Sequence, residues 1–199
     1  LNSWLSLGAG LQIQHIDAKL TRAIDFGSIL AGLGVPGAVP FGSDGKVKLK
    51  ADDWGGGLDA GVLIEPIPGT RVGLSYRSYI HQDLDGDARF KSVPLPLQAI
   101  PTFQNQNASA EVSTPESIDL SVYHEINERW AVMGDTQWTN WSRFDELRVE
   151  FEQAGVPDDV TQEQWQDSWF FALGTQYKPL DRLTLRYGGA PAKGLFFVA

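Results

Sequence analysis

The sequence predicts an all-β fold, an antiparallel up-and-down transmembrane β-barrel of which this chain forms an incomplete part of about seven strands. Three features predict it: long strands with a period of two, connections that alternate between long and short, and aromatic residues at two heights. The first strand is apolar at odd positions from Leu5 to Ile13 and small or polar at even positions from Ser6 to Gln14. That polar face carries glycine and no charge, although a strand face in bulk water is usually charged.

Seven strand candidates follow one another along the 199 residues. They cover approximately residues 4–19, 47–65, 71–90, 110–126, 130–151, 167–178 and a stretch that begins at 183. Several exceed the roughly 5–6 residues that are usual in a globular strand. Helical periodicity is weak, and its best candidates are residues 20–33 and 158–165.

The connections between these strands alternate in length. Tight turns are predicted at Pro66–Thr70, at Asn127–Arg129 and in the run KPLDR, and the other three connections are longer. In outer-membrane barrels the short turns face the periplasm and the long loops face the outside. The alternation therefore indicates a sheet with two different rims.

Aromatic and charged residues agree with a membrane location. Trp130 and Tyr177 fall near the short-turn rim, and three others fall near the long-loop rim: Trp138, Trp141 and Trp169. Aromatic girdles at two heights are typical of membrane barrels. Three mid-strand charges share the polar face and are expected to line the lumen, where Arg77 would pair with one of the two carboxylates: Arg77, Asp119 and Asp135. A soluble β-sandwich with interior aromatics remains the alternative.

Composition and motifs argue against other classes of protein. A net charge of −9 disfavours nucleic-acid binding, and the absence of cysteine excludes thiolate metal sites. No G-x-S-x-G motif is present, and the three histidines lie on different strands, so no catalytic residue is expected. The run HQDLDGDARF is superficially similar to a calcium loop but has no downstream glutamate at the required spacing. We therefore expect no metal site and no cofactor.

Four stretches resemble the FadL/TodX family of outer-membrane transporters for hydrophobic compounds. They occur in family order and together cover most of residues 4–188: WLSLGAGLQIQHIDAKL, WGGGLDAGVLIEPIPGTRVGLSYRS, TPESIDLSVYHEINERWAVMGDTQWTNWSRFDEL and FALGTQYKPLDRLTLRYG. The pieces YRS and TNWSRF are the most specific. The resemblance implies a barrel of roughly fourteen strands, of which residues 1–199 are one partial domain from the middle and later half. It implies that the family's plug and first strands precede Leu1, and it leaves open whether residues 187–199 are native barrel sequence.

The resemblance implies uptake of long-chain fatty acids or similar molecules across the bacterial outer membrane. Channels for aromatic hydrocarbons or alkanes are the alternative within the family, and a soluble carbohydrate-binding β-sandwich is the alternative from another class. The expected partners are a hydrophobic small molecule, outer-membrane lipid and lipopolysaccharide, without nucleic acid, and the full-length protein is expected to be monomeric.

Such a transporter needs an apolar pocket near its long loops, with a few polar anchors. The first long loop supplies Phe26, Ile29 and Leu30. The resemblance suggests Arg22 and Arg148 as the cations that hold a ligand carboxylate, with three neighbours of Arg148 as pocket walls: Phe144, Leu147 and Phe151. The alternatives are a loop that packs on its own rim and arginines that are solvated.

Overall fold

The computed structural model describes residues 4–153 and 156–190. Within these ranges it contains one antiparallel sheet of 11 strands, a short helix and three 3-10 turns. The strands are β1 (Leu5–Asp25), β2 (Asp44–Ile67), β3 (Thr70–Arg77), β4 (Ile80–Lys91), β5 (Gln106–Thr114), β6 (Ser117–Glu125), β7 (Trp130–Thr139), β8 (Glu146–Phe151), β9 (Asp159–Gln162), β10 (Ser168–Leu180) and β11 (Leu183–Gly189). The helix is α1 (Phe26–Gly32), and the 3-10 turns are Leu95–Leu97, Pro101–Phe103 and Trp141–Arg143. None of the described helices is long and apolar enough to cross a lipid bilayer.

The eleven segments form seven barrel strands, as the sequence predicts. β3 and β4 lie in line along the same strand, β2, and the pairs β5 with β6, β7 with β8 and β9 with β10 are split in the same way. β1 pairs with β2 along its whole length. Over the described residues the sheet does not close, which agrees with the predicted partial barrel.

The splits in the strands form one line across the sheet. Arg77 lies opposite Ser117, Ser117 lies opposite Thr139, and Thr139 lies opposite Ser168. Each of these four residues is the end of its strand segment. We call this line the break level; β1 and β2 pass through it without interruption. The three tight turns, at residues 68–69, 126–129 and 181–182, all lie at the rim below it.

The first helix prediction is confirmed over half of its length, and the second is wrong. In the range 20–33 only Phe26–Gly32 is helical, because the residues before it continue β1 and pair with the start of β2. In the range 158–165 the structure has the strand Asp159–Gln162, which pairs with β8. Local periodicity carries no information about a partner strand, whose backbone groups complete the hydrogen bonding of a short segment.

The outer face of the sheet is apolar below the break level and, on β1 and β2, up to His15 and Trp54 above it. Leu11 is 83% exposed and Leu7 60%, and apolar residues on the next strands extend this surface: Leu58, Leu74, Ile118, Leu120, Val122 and Leu173. Trp130 stacks on Tyr177 at the lower rim with 4.4 Å between ring centroids, and Trp138 lies opposite Trp169 near the break level. Eight residues separate the two levels, which is about 26 Å along a strand and roughly 20 Å along the normal of the membrane at the usual tilt. This band has the height of the lipid-facing belt of an outer-membrane barrel.

Above this apolar band the polarity of the two faces is inverted. Along β1 the outward positions become Asp17, Lys19 and Thr21, and the inward positions become Ile16, Ala18 and Leu20. In β4 the inward residues Ile80, Leu84 and Ala88 are buried, and the outward residues from His81 to Lys91 are all charged or polar. The upper part of the sheet therefore presents its charged face outward and its apolar face inward, as expected where the surroundings change from lipid to water.

Candidate hydrophobic binding site

The inverted faces enclose an apolar cavity above the break level. Its volume is about 270 Å³, and its walls come from β1, β2, β4, β5, β8 and the residue after the last 3-10 turn. The apolar residues that line it are Ile16, Ala18, Leu20, Leu49, Ala51, Leu84, Ala108, Ala110, Val112, Phe144, Leu147 and Val149. We call this space the upper cavity.

Strand register explains why these residues meet. Leu20 lies opposite Leu49, Leu84 lies opposite Ala110, and Ala110 lies opposite Val149. Directly opposed residues of antiparallel strands share a face, so the apolar positions form continuous rows. The small alanines leave the space that larger side chains would fill.

A wider recess of about 620 Å³ adjoins the upper cavity and shares four of its residues: Leu20, Leu49, Leu147 and Val149. Arg22 lines this recess and pairs with Asp159, at 2.9 Å between Nη1 and Oδ2. This contact bridges β1 and β9. Because 72% of the Arg22 side chain is exposed, its guanidinium is accessible to a ligand at the border of the apolar space.

Arg148 faces the opposite way. It follows Leu147 and precedes Val149 in β8, both of which line the cavity, so its side chain points to the charged outer face. It contacts Glu146 and Asp158 at 2.8 Å each. The hydrogen bond from Arg148 lowers the pKa of Glu146, and those to Asp158 and Glu146 raise the pKa of Arg148. The structure thus does not bring the two predicted arginines together.

The predicted residues of the first long loop lie in a cap over the cavity. Phe26 and Leu30 are buried together with Leu97 of the second long connection, and Ile29 packs against them. The ring of Phe103 contacts those of Phe26 and Phe90 edge-on, at 5.3 and 6.2 Å between centroids. The loop therefore packs on its own rim, and its apolar residues form a core between the two long connections.

Of the predicted pocket walls, Phe144 and Leu147 line the upper cavity. Phe151 packs beside it, against a buried cluster of Ala88, Ala108 and Val149. Several lining residues were missed by the sequence analysis, among them Ile16 and Leu49. The signal that identifies them is the change of phase in β1 after Gln14, where even positions turn from polar to apolar.

The floor of the upper part is formed where β4 crosses two glycines of β2. A Cβ on Gly55 would lie 2.7 Å from Cγ of Gln82 and 2.9 Å from the carbonyl oxygen of His81, and one on Gly57 would lie 2.8 Å from Ile80. Gln82 is 1% exposed and donates from Nε2 to the carbonyl oxygen of Gln14 at 3.2 Å. Ile80 and Gln82 therefore separate the apolar space above from the polar surface below.

Below this floor the inner face is polar. Asp59 accepts hydrogen bonds from Gln12 and from Arg77, the latter at 3.2 Å between Nε and Oδ1. Ser75 donates to Asp119 at 3.4 Å, and both line a polar recess of about 450 Å³ with Arg77. Asp135 lies opposite Ser121 on the same face. All three predicted lumen charges are thus on the inner face, but the partner of Arg77 is Asp59, not Asp119 or Asp135 as the sequence suggested.

The calcium-like run forms strand β4, so its successive side chains alternate between the two faces of the sheet. His81 pairs with Asp83 at 3.0 Å on the outer face. In residues 4–153 and 156–190, no three His, Asp or Glu side chains are grouped so as to hold a metal ion.

Comparison with known proteins agrees with this architecture. Residues 1–190 match the family described as outer membrane protein transport protein (OMPP1/FadL/TodX). A long-chain fatty acid transport protein of Escherichia coli O6:H1 is 32% identical over 94% of this chain, which corresponds to 45% of the relative. The chain thus spans about half the length of the curated relatives it matches.

Solved structures show the same fold. A Pseudomonas aeruginosa FadL homologue is 25% identical over 94% of this chain and 46% of its own, with a TM-score of 0.77. The Ralstonia pickettii toluene transporter TbuX is 22% identical over 98% of this chain and 53% of its own, with a TM-score of 0.68. These matches exclude the soluble β-sandwich. The chain belongs to the FadL/TodX family of outer-membrane transport proteins of Gram-negative bacteria, and it forms part of the family's β-barrel.

Proposed function

We propose that the protein containing this chain takes up long-chain fatty acids or similar hydrophobic molecules across the outer membrane. The observation that carries the proposal is the upper cavity, an apolar space on the inner face of a sheet whose outer face at that height is charged. A ligand that leaves water for this space gains the free energy of apolar burial. The relatives named as long-chain fatty acid transport proteins support the same reading.

The recess beside the cavity suits an amphipathic ligand. Its acyl chain would lie along Leu20, Leu49 and Leu147, and its carboxylate would accept charge-assisted hydrogen bonds from Arg22. Asp159 now holds Arg22 and would compete with the carboxylate. We assign Arg148 a structural role on the outer face, with Glu146 and Asp158 as its partners.

The ligand then passes from the upper cavity across the floor at Ile80 and Gln82 into the polar inner face. We propose that the protein is a transporter and not an enzyme. It acts as a monomer surrounded by outer-membrane lipid and lipopolysaccharide. An aromatic hydrocarbon or an alkane is the second candidate ligand, because the cavity itself is lined by hydrocarbon and because one structural relative is a toluene transporter.

The test measures binding of oleate and of toluene to the full natural chain in detergent. Leu147→Asn places an amide in the cavity wall and is expected to weaken oleate binding by about tenfold or more, since it removes a buried apolar group and adds an unsatisfied polar one. Glu150→Asn changes the same strand on its outer face and is the matched control. Equal affinities for oleate in the wild type, Leu147→Asn and Glu150→Asn would contradict the assignment of the upper cavity as the binding site. Binding of toluene with no competition by oleate would favour the second candidate.

A further inference from the structure

The outer face above the break level carries a concentrated group of basic residues. The sequence has seven lysines, and four of them lie on adjoining positions of β2 and β4, together with one arginine: Lys46, Lys48, Lys50, Lys91 and Arg89. We call this group the basic patch. It is local, because the chain as a whole has a net charge of −9.

Register places like charges face to face within the patch. Lys46 lies opposite Lys91, and Lys48 lies opposite Arg89. Directly opposed like charges destabilise a pair of strands. Such an arrangement is favourable when an external anion lies over it.

Asp87 lies directly opposite Lys50, but Lys46, Lys48 and Lys91 have no carboxylate directly opposite them. Arg89 pairs with Asp87 at 2.8 Å, and the neighbouring Lys19 pairs with Asp17 at 2.9 Å. In the part of the chain that the structure describes, Lys46, Lys48, Lys50 and Lys91 form no ion pair. Three of these four lysines are exposed and Lys48 is half-buried.

The height of the patch identifies the anion. Trp54 is 67% exposed on the same face of β2 and marks the upper border of the apolar belt. Lys50 and Lys46 precede Trp54 by four and eight residues in β2, so they lie about 13 and 26 Å above it along the strand. In the outer leaflet this zone holds the phosphates of lipid A and the acidic sugars of the lipopolysaccharide core. Lysine ammonium groups bind phosphate as point charges.

We propose that the basic patch is a lipopolysaccharide-binding surface, on which Lys46, Lys48, Arg89 and Lys91 contact the anionic groups of one lipopolysaccharide molecule. The inference rests on the outer-membrane placement within the proposed function. It does not depend on the transported ligand, because the side chains of these four residues and the upper cavity lie on opposite faces of the sheet.

The experiment quantifies lipopolysaccharide bound to the full natural chain. The protein is extracted from outer membranes in a mild detergent, and lipid A is measured per protein by mass spectrometry. The test variant is Lys46→Gln/Lys48→Gln/Arg89→Gln/Lys91→Gln. The control variant, Arg129→Gln/Lys178→Gln/Arg182→Gln, neutralises basic residues at the opposite rim. Folding is followed by the heat-dependent shift in gel mobility, and oleate binding is measured on both.

Retained lipopolysaccharide is expected to fall by roughly tenfold in the test variant, because each basic residue near an anionic surface contributes to binding. The control variant is expected to retain the wild-type amount. Equal retention by the test variant and the wild type would overturn the proposal, and so would an equal loss in both variants. Loss of bound phosphatidylglycerol with lipopolysaccharide unchanged would assign the patch to a different lipid and would also overturn it. If the test variant binds oleate normally but retains less lipopolysaccharide, the result supports the lipopolysaccharide-binding surface independently of the transport proposal. If the test variant does not fold, the pair Lys46→Gln/Lys91→Gln is measured in its place.

Discussion

His15 and Trp54 face each other across β1 and β2, with 4.6 Å between their ring centroids, at the height where the outer face of the sheet changes from apolar to charged. Below them the opposed outward pair is Leu11 with Leu58, and above them it is Asp17 with Asp52. The hairpin of β1 and β2 thus continues without interruption from the region that faces lipid into the region that faces water.

A charge on the outward face of β1 should be destabilising below the border at His15 and Trp54 and tolerated above it. Leu11→Arg places a guanidinium in the lipid belt and is expected to destabilise the barrel by about 2–4 kcal/mol near the midplane. Thr21→Arg introduces the same residue on the same face of the same strand above the border and should change stability little. Unfolding by guanidinium in lipid vesicles measures both. Similar losses in the two variants would show that β1 does not leave the membrane between them.

The close approach of β4 to β2 predicts a difference between neighbouring glycines. Gly55→Ala is expected to destabilise the protein by about 1–3 kcal/mol, because its Cβ would overlap with Gln82 and with a backbone carbonyl oxygen. Gly56→Ala is the control, since the nearest atom to its Cβ would be the Gln12 carbonyl oxygen at 3.9 Å. The temperature at which the folded band disappears in semi-native gels reports both. If Gly55→Ala lowered this temperature no more than Gly56→Ala, the contact between β4 and β2 would not be closely packed.

The two candidate arginines should differ in ligand binding. Arg22→Ala is expected to weaken oleate binding by roughly two- to fivefold, a modest effect because the side chain is exposed to solvent. Asp159→Asn removes its competing partner and should strengthen binding by a similar factor. Arg148→Ala should leave the affinity unchanged. Competition against a fluorescent fatty acid measures all three, and a larger effect of Arg148→Ala than of Arg22→Ala would reverse the assignment.

The cap over the cavity should loosen at low pH through Asp25. Its carboxylate accepts hydrogen bonds from the hydroxyl and backbone N–H of Ser28 and from the N–H of Phe41. The hydroxyl of Ser28 and these N–H groups lower the pKa of Asp25 below its ordinary value of 3.8. Because the pKa is lowered in the folded state, this stabilisation is complete above the ordinary value and is lost as the pH falls through the lowered one.

Hydrogen exchange of residues 26–41, corrected for intrinsic rates, tests this prediction. Protection should persist at pH 5 and decrease below pH 3.8, and Asp25→Ala should show low protection at neutral pH. Asp44→Ala, which changes the residue opposite Asp25 in the sheet, is the control. If Asp25→Ala retained full protection at pH 7, the apolar core of the cap alone would hold residues 26–41 in place, and the prediction would be wrong.

Alternation along each strand, together with the alternating connection lengths, the aromatic residues at two heights and the order of the family motifs, predicted seven strands, the lipid-facing rows and the inward position of Arg77, Asp119 and Asp135. Alternation is a local property with a period of two, and any single strand displays it. The partner of Arg77 was not predictable, because Asp59 lies on a neighbouring strand and is brought to it only by register. For the same reason the sequence grouped Phe26 and Leu30 with the ligand site, whereas they pack against Leu97 in the cap.

The position of Arg148 shows the limit most clearly. Between Asn140 and Asp145 the chain leaves the sheet, and the strand resumes with its even positions still on the outer face, as in β7, but that face is now charged instead of apolar. The resemblance that suggested Arg148 as a ligand cation gives no side-chain direction. The alternation within β8 does, and it places Arg148 with Glu146 and Glu150 on the outer face. The sequence by itself determined the membrane strands, their lipid face and the family. Only the tertiary structure decided which residues enclose the upper cavity, because the breaks in four neighbouring strands align only when the strands are paired.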